Sequence, residues 1–311
     1  MQNTTQLLMI QPVNFGFNAE TAVNNRFQKN ISGEIQQAAL QEFTAFVELL
    51  RKNKVDVMVV EDSLDPSTPD SIFPNNWISF HADGRIFLYP MFAVNRRLER
   101  KAAVLDAVKT KFHIAEIIDL TKSESDHFFL EGTGSMVLDR ENKIAYACLS
   151  PRTDEQILNQ FCCMVGYSPV TFRATDNTGV NIYHTNVMMC IASNYAVVCL
   201  ECVADIRERE NLVSALVNTN KEVIDISLQQ LNSFAGNMLQ VKNADNELLL
   251  IMSTQAFESL HDVQVEILEK HNRIIHAPLN TIETVGGGSA RCMLAEVFLN
   301  KKPGDKLPAT N

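Results

Sequence analysis

The sequence predicts an α/β fold in which five ββαβ units surround a pseudo-fivefold axis, a β/α-propeller forming one domain over residues 1–300 with a polar tail at 301–311. Three observations predict it. A junction in which a small or polar pair runs into an apolar strand recurs at "NNWISF", "TGSMVL", "HTNVMMCI", "AGNMLQV" and "GGSARCML". Taking Asn76, Gly134, Asn186, Asn237 and Ser289 as equivalent, the spacings are 58, 52, 51 and 52 residues, a period few sequences hold by chance. The segments between junctions repeat in kind, and one unit is complete only when the two chain ends are brought together.

In chain order, the strand "QLLMIQP", the amphipathic helix "GEIQQAALQEFTAFVELLRKN" and the strand "VDVMVV" form a unit that lacks its first strand. The next unit opens at "NNWISF", turns at "HADGR", returns through "IFLYPM" and passes by the helix "RRLERKAAVLDAVKTKF" to "IAEIIDL". The same order follows in "TGSMVL", "DRENK", "IAYACL", "DEQILNQFCCMVG" and "SPVTFRA", and again from "HTNVMMCI" through "ASNY", "AVVCLE" and "RERENLVSALVNT" to "EVIDIS". A fourth run leads from "AGNMLQV" through "KNADNE", "LLLIMS" and the shorter helix "VQVEILEKH" to "RIIHAPL". Apolar runs broken by Asn, Asp and Gly turns read as hairpins. The last junction, "GGSARCML", supplies the strand missing from the first unit, and closing the ring buries the sheet edges that isolated blades would expose. The terminal "NKKPGDKLPATN" is polar and marked by Pro and Gly, as a tail is.

A chain of 311 residues with 46% hydrophobic content can bury a sizeable core. Its net charge of -10 opposes the phosphate neutralisation on which nucleic-acid and anionic-membrane binding rely, and no Lys/Arg-rich run offsets it. No basic leader and no run of about twenty apolar residues is present, so a cytoplasmic protein that neither crosses nor binds a membrane is expected. Seven cysteines, several inside apolar segments, fit buried thiols in a reducing compartment. "CLEC" has metal-like spacing but lacks the second pair of a structural zinc site, so no metal and no organic cofactor is expected. The expected partner is a small molecule, and a homodimer is the assembly expected should the chain associate.

Equivalent junctions in a ring converge on one end of the axis. Asn75 and Asn76, Glu131, His184, Asn186, Asn237 and Cys292 then become neighbours. A thiol, an imidazole and a carboxylate are the parts of a nucleophile, a proton-transfer group and an orienting or substrate-holding acid. Cys292 follows "GGGSAR"; consecutive glycines are costly unless the backbone needs positive φ or close approach, which marks Gly287 and Gly288 as part of the site. A free thiol is mostly protonated at neutral pH, so a nucleophilic cysteine needs a nearby cation, for which Arg291 or a protonated His184 could serve, or a bound cationic substrate.

"FPNNW", "LEGTG", "YHTN" and "GGGSARC", in this order across essentially the whole chain, resemble the guanidino-group-modifying superfamily, the pentein fold. It contains arginine deiminases, dimethylarginine dimethylaminohydrolases, amidinotransferases and succinylarginine dihydrolases. The resemblance implies that Cys292 attacks the central carbon of a guanidino or ureido group, that His184 protonates the departing nitrogen and then activates water, and that Glu131 binds substrate nitrogen and orients His184. For the α-carboxylate it suggests Arg152 in "LSPRTD" and, in "AVNRRLER", Arg97 or Arg96, since arginine binds carboxylates bidentately.

One departure is informative. Arginine deiminases carry aspartates where Asn76 and Asn186 stand, and two neutral amides lose most of the Coulomb preference for a cation. A neutral ureido amino acid such as citrulline suits such a pair, and the chain is most similar to the bacterial citrulline ureidase branch, which is related to amidinotransferases. The expected reaction converts citrulline to ornithine, ammonia and carbon dioxide. Arginine deiminase- or dihydrolase-like hydrolysis of a guanidino substrate, amidino transfer, and a non-catalytic ligand-binding role on the same ring remain alternatives. The Asn-rich segment 13–30 has the polar character of a lid without requiring one.

Overall fold

The computed structural model describes residues 1–303, so the expected tail at 301–311 lies outside the described residues from 304 onward. Among the described residues, fifteen strands form five three-stranded sheets, every one built on the same plan. One sheet holds β3 (Ile78–Phe80), β4 (Arg85–Leu88) and β5 (Glu116–Asp119), and the next β6 (Val137–Asp139), β7 (Ile144–Cys148) and β8 (Ser168–Phe172). Then come β9 (Met189–Ile191), β10 (Tyr195–Val198) and β11 (Glu222–Asp225), followed by β12 (Leu239–Lys242), β13 (Leu248–Ser253) and β14 (Arg273–Ala277). In each, the first two strands pair antiparallel and the last two parallel.

The fifth sheet joins the two ends of the chain, as the repeat predicts. β1 (Gln6–Gln11) runs parallel to β2 (Asp56–Glu61) and antiparallel to β15 (Ala295–Glu296), with Leu8 opposite Ala295. Beyond β15, Lys301 still bridges Phe112 and pairs with Asp56.

A parallel return needs a crossover. It is supplied by α1 (Ile35–Lys52), α2 (Ala102–Lys111), α3 (Glu155–Val165), α4 (Ile206–Asn218) and α5 (Asp262–Glu269). The sequence sets their limits: Asp154 and Asp205 cap α3 and α4 by accepting from backbone N–H groups of the first turn, and Gly166 ends α3 in the left-handed region at φ 71°. The run expected as one helix over 96–112 is interrupted after Arg97. Arg96 turns inward onto Glu99 there, while Lys101 binds Asp62 and the Thr68 hydroxyl. No helix among the described residues is long and apolar enough to cross a membrane.

First strands of neighbouring units approach one another, β15 with β3, β6 with β9 and β9 with β12, and so line the axis. Middle strands are buried along most of their length, and wholly so at Tyr195–Val198 and Leu249–Ser253. The junctions differ in one respect from the sequence reading. Before the strand, the chain makes a short helical turn, at Pro74–Asn76, Gly132–Ser135, Thr185–Met188 and Ala290–Met293. Such a turn satisfies its own backbone where the chain is enclosed and no strand lies alongside. These turns touch one another at one end of the axis, which assembles the site.

Candidate active site

The thiol arrives on a loop that only glycine permits. A π-helical turn at Ile282–Gly286 leads into Gly287 in the left-handed region, φ 63°. A Cβ on Gly286 or Gly288 would fall 2.8 or 2.9 Å from the ring of Phe73, and one on Gly287 would meet Asn25 at 2.6 Å. The turn Ala290–Met293 then presents Cys292, which is buried yet lines a narrow, partly open cavity. Its Sγ receives N–H groups from Asn237 at 3.3 Å and Asn186 at 3.5 Å. Arg291 is not the cation beside this sulfur, because its guanidinium is committed to the Leu294 carbonyl and Glu296.

Glu131 is wholly buried, 2.7 Å from Nε2 of His184. Burial would raise its pKa, but Arg152 at 3.5 Å, the His184 bond and Arg96 at 3.9 Å outweigh it and hold the carboxyl well below the usual range. An ionised Glu131 only accepts, so Nε2 of His184 carries the proton and Nδ1 is the free base. For the imidazole, burial dominates over the pull of Glu131 and lowers its pKa to about 4. His184 is therefore neutral in the resting protein, and the sulfur has no imidazolium beside it before reaction.

Of the amides around the thiol, Asn76 has a forced orientation, since its partner Arg96 only donates. Asn76 Oδ1 accepts from Arg96 Nη1 at 2.9 Å, which leaves its buried Nδ2 without a partner. Asn186 gives its Nδ2 to Cys292 and leaves Oδ1 without one. Asn237 donates to the Asn186 carbonyl and accepts from Arg291 N, bracing the thiol turn. Asn75 is buried beside them, its carbonyl against Gly132 and the Thr133 hydroxyl, with both side-chain polar atoms unpartnered.

Arg152 lines the cavity, stacked on Tyr183 and bound to Asn24, the Thr21 carbonyl and Glu131. Arg97 does not reach the cavity. Its guanidinium is held by the Met91 and Phe92 carbonyls and Glu124, and Arg96 is the member of the pair that faces the site. On the short helix Val94–Arg97 the two point apart, and a run of adjacent arginines gives no sign of which turns inward.

Sequence reasoning missed Asp70 and Phe73, and left open whether segment 13–30 lies over the cavity. Asp70 is buried; Asn18 and Thr21 donate to its Oδ2, and Oδ1 has no partner. Burial raises its pKa against the opposing pull of Arg96. The polar segment 13–30 does cover the site: Thr21 and Asn25 line the cavity, and Asn25 reaches the Gly287 carbonyl. Cys199 and Cys202 are buried with sulfurs 3.0 Å apart, remote from the cavity lining, and no group of three His, Cys, Asp or Glu side chains among the described residues is arranged to hold a metal ion.

A family model described as N,N dimethylarginine dimethylhydrolase, eukaryotic, matches residues 11–299. No curated protein matches significantly. Among solved structures, apo ArgZ, an arginine dihydrolase from the ornithine-ammonia cycle in cyanobacteria, superposes with a TM-score of 0.76 at 18% identity, over 96% of this chain and 41% of that one. The isolated N-terminal domain of ArgZ, as a cysteine-to-serine variant bound to substrate, gives 0.73 at 17% identity over 94% of this chain and 99% of that one. A dimethylarginine dimethylaminohydrolase variant carrying an S-methyl-L-thiocitrulline adduct gives 0.62 at 13% identity, over 94% and 99%. The chain thus spans about two fifths of full-length ArgZ and nearly all of its N-terminal domain, and at these identities the likeness is one of fold.

Proposed function

Since the chain belongs to the N,N-dimethylarginine dimethylhydrolase family, pentein-fold enzymes that hydrolyse carbon–nitrogen bonds other than peptide bonds, we propose that it cleaves the ureido group of citrulline through a covalent adduct on Cys292. One observation carries the choice of substrate. Asn76, on the cavity wall, offers an unpaired N–H donor, because Arg96 can only donate to its oxygen; Asn186, whose N–H group is turned to the sulfur, is not part of that wall. A ureido group has an oxygen that accepts from the Asn76 donor. A guanidinium only donates, and would set N–H against the N–H of Asn76; leaving such buried groups unpaired is what rejects a near-isostere.

The reaction balances with the residues present. His184 Nδ1 takes the thiol proton as Cys292 Sγ bonds to the ureido carbon, and the carbon–nitrogen bond to the ornithine side breaks as His184 returns that proton to the departing amine. Water, deprotonated by His184, then attacks the S-carbamoyl group; carbamate leaves, the thiol is re-protonated, and carbamate decomposes to ammonia and carbon dioxide. Glu131 keeps the imidazole in the Nε2–H tautomer and steadies its cationic form. Arg96 and Arg152 suit the α-carboxylate and Asp70 Oδ1 the α-ammonium.

A second reading, hydrolysis of a guanidino amino acid, is favoured by the arginine dihydrolase named among the structural relatives and by Asp70, which would attract a guanidinium. Incubating the purified protein separately with citrulline, arginine and dimethylarginine, and measuring ornithine, citrulline and ammonia, separates the two. Ornithine and ammonia from citrulline, with kcat/KM for arginine lower by about tenfold or more, is expected. Citrulline accumulating from arginine would overturn the proposal, as would full turnover by Cys292→Ser.

A further inference from the structure

A second opening lies beside the Gly-rich loop and shares no lining residue with the cavity at Cys292. It is a groove of about 750 Å³, counting its open mouth. The strap gives it one wall, with Arg26, Phe27 and Lys29, and the turn before the glycines gives it another, with Glu283. Phe27 and Phe234, ring centroids 5.0 Å apart, make an apolar floor.

The group that sets this groove apart is Glu283. It is 2% exposed; Oε1 accepts from the Ser289 hydroxyl at 2.5 Å, and Oε2 has no hydrogen-bond partner. A buried carboxylate oxygen without a donor is an uncompensated polar atom, and Glu283 is among the residues that line the groove. Burial raises the carboxyl to about 7 against the tempering effect of the nearby Ser253 and Ser289 hydroxyls, a cost that an incoming ammonium would relieve. On the strap side, the Lys29 ammonium has no ion-pair partner among the described residues, whereas Arg26 is committed to Asp176 and Asn232. An unpaired cation and an unpaired acceptor flanking an aromatic floor complement one class of small molecule.

We propose that the groove binds a free amino acid, with an ammonium on Glu283 Oε2, a carboxylate on Lys29 and the aliphatic stem against Phe27 and Phe234. Occupancy ties the two elements that shape the active site. Lys29 belongs to the strap that covers Arg152, and its N–H already holds the Thr284 carbonyl at 2.7 Å. Glu283 reaches the nucleophile through Ser289, whose hydroxyl it holds and whose carbonyl accepts from Cys292 N at 3.0 Å. A bound amino acid therefore favours the closed strap and the present setting of the thiol turn.

The probe is L-ornithine, chosen because the function proposed above releases it; the groove argument rests on that reading in this choice and in the use of citrulline to fill the main cavity. Ornithine is titrated calorimetrically into Cys292→Ala protein saturated with citrulline, so that the main cavity is filled. One site per chain is expected, weakened about tenfold or more in both Glu283→Gln and Lys29→Ala, with thermal melts unchanged. Glu283→Gln keeps an acceptor for Ser289, which preserves the fold of the loop. No ornithine binding to the parent protein, or binding unaltered in both variants, overturns the proposal. A wild-type protein that leaves citrulline intact overturns the proposed reaction without touching this titration, which the two groove variants read on their own.

Discussion

Asn76 Oδ1 lies 2.9 Å from Nη1 of Arg96, and a guanidinium only donates, so the amide is locked with its N–H group left over. Arg96 is itself held in place by Glu99 through two bonds of 2.8 and 3.0 Å. Under the proposed function, discrimination between oxygen and nitrogen at the substrate would be set by Arg96 through the orientation it imposes on Asn76.

Asn76→Asp tests that relation. One carboxylate oxygen would take over the Arg96 bond and the second would present an acceptor where a donor now stands. The ratio of kcat/KM for arginine over citrulline is expected to rise by about one to two orders of magnitude. An unchanged ratio would show that this amide does not select the substrate.

The neighbouring arginines should behave oppositely. Arg97 serves the Met91 and Phe92 carbonyls and Glu124, so Arg97→Ala should keep kcat/KM within about threefold, at a stability cost of roughly 1 kcal/mol. Arg96→Lys loses the fork that grips Glu99 and Asn76 together and should lower kcat/KM about a hundredfold. Steady-state kinetics on citrulline decides; equal losses would erase the distinction drawn from the structure.

The repeat carried the fold into view from sequence because its period survives every change of residue between the junctions. Asn76, Gly134, Asn186, Asn237 and Ser289 announce five equivalent junctions, and a ring brings such junctions together. Glu131, His184 and Cys292 were legible for the same reason, each falling on a junction. Asp70 and Phe73 were not: they precede their junction in an irregular stretch, "PDSIFPNN", where no periodicity says which side chains turn inward. The interior position of Arg96 rather than Arg97 depends on the break after the short helix, which follows from burial of Arg96 against Glu99 and has no local signature.

Gly134 is expected to be essential to activity. A Cβ there would sit 2.2 Å from Asn76 Nδ2 and 2.8 Å from His184 Nδ1, closer than packed atoms come. Gly134→Ala must displace the amide and the proton-transfer nitrogen, so turnover should fall about a hundredfold, with a destabilisation of roughly 1–3 kcal/mol. Gly166→Ala is the control: it strains the left-handed cap of α3 but meets no neighbouring atom, costs about 1 kcal/mol, and should leave kcat alone. Parallel losses in the two variants would reduce the Gly134 effect to stability.

The pH profile of stability offers a separate check on the buried histidines. Burial lowers His184 to about 4, and burial together with Arg140 lowers His81 to about 3, where it stands 2.9 Å from the Ser79 hydroxyl. Below the model-peptide value near 6.5 the unfolded chain takes up protons that the folded chain refuses, so each histidine's contribution is complete above that pH and shrinks as pH falls toward the folded value. Glu99 and Glu283 act in the opposite sense: burial raises both to about 7, so their contribution is present below the unfolded value near 4.5 and is lost as pH rises to 7. Between 4.5 and 6.5 the two pairs oppose each other, and wild-type stability should vary little with pH. His81→Gln removes one proton from this balance. Urea unfolding at pH 6.5, 5.5 and 4.5 should then show the variant gaining about 1 kcal/mol on wild type over the first unit of acidification and about 1.3 kcal/mol over the second. Parallel profiles would mean that His81 titrates in the folded protein as it does in the unfolded chain, contrary to its burial against Phe87 and Phe161.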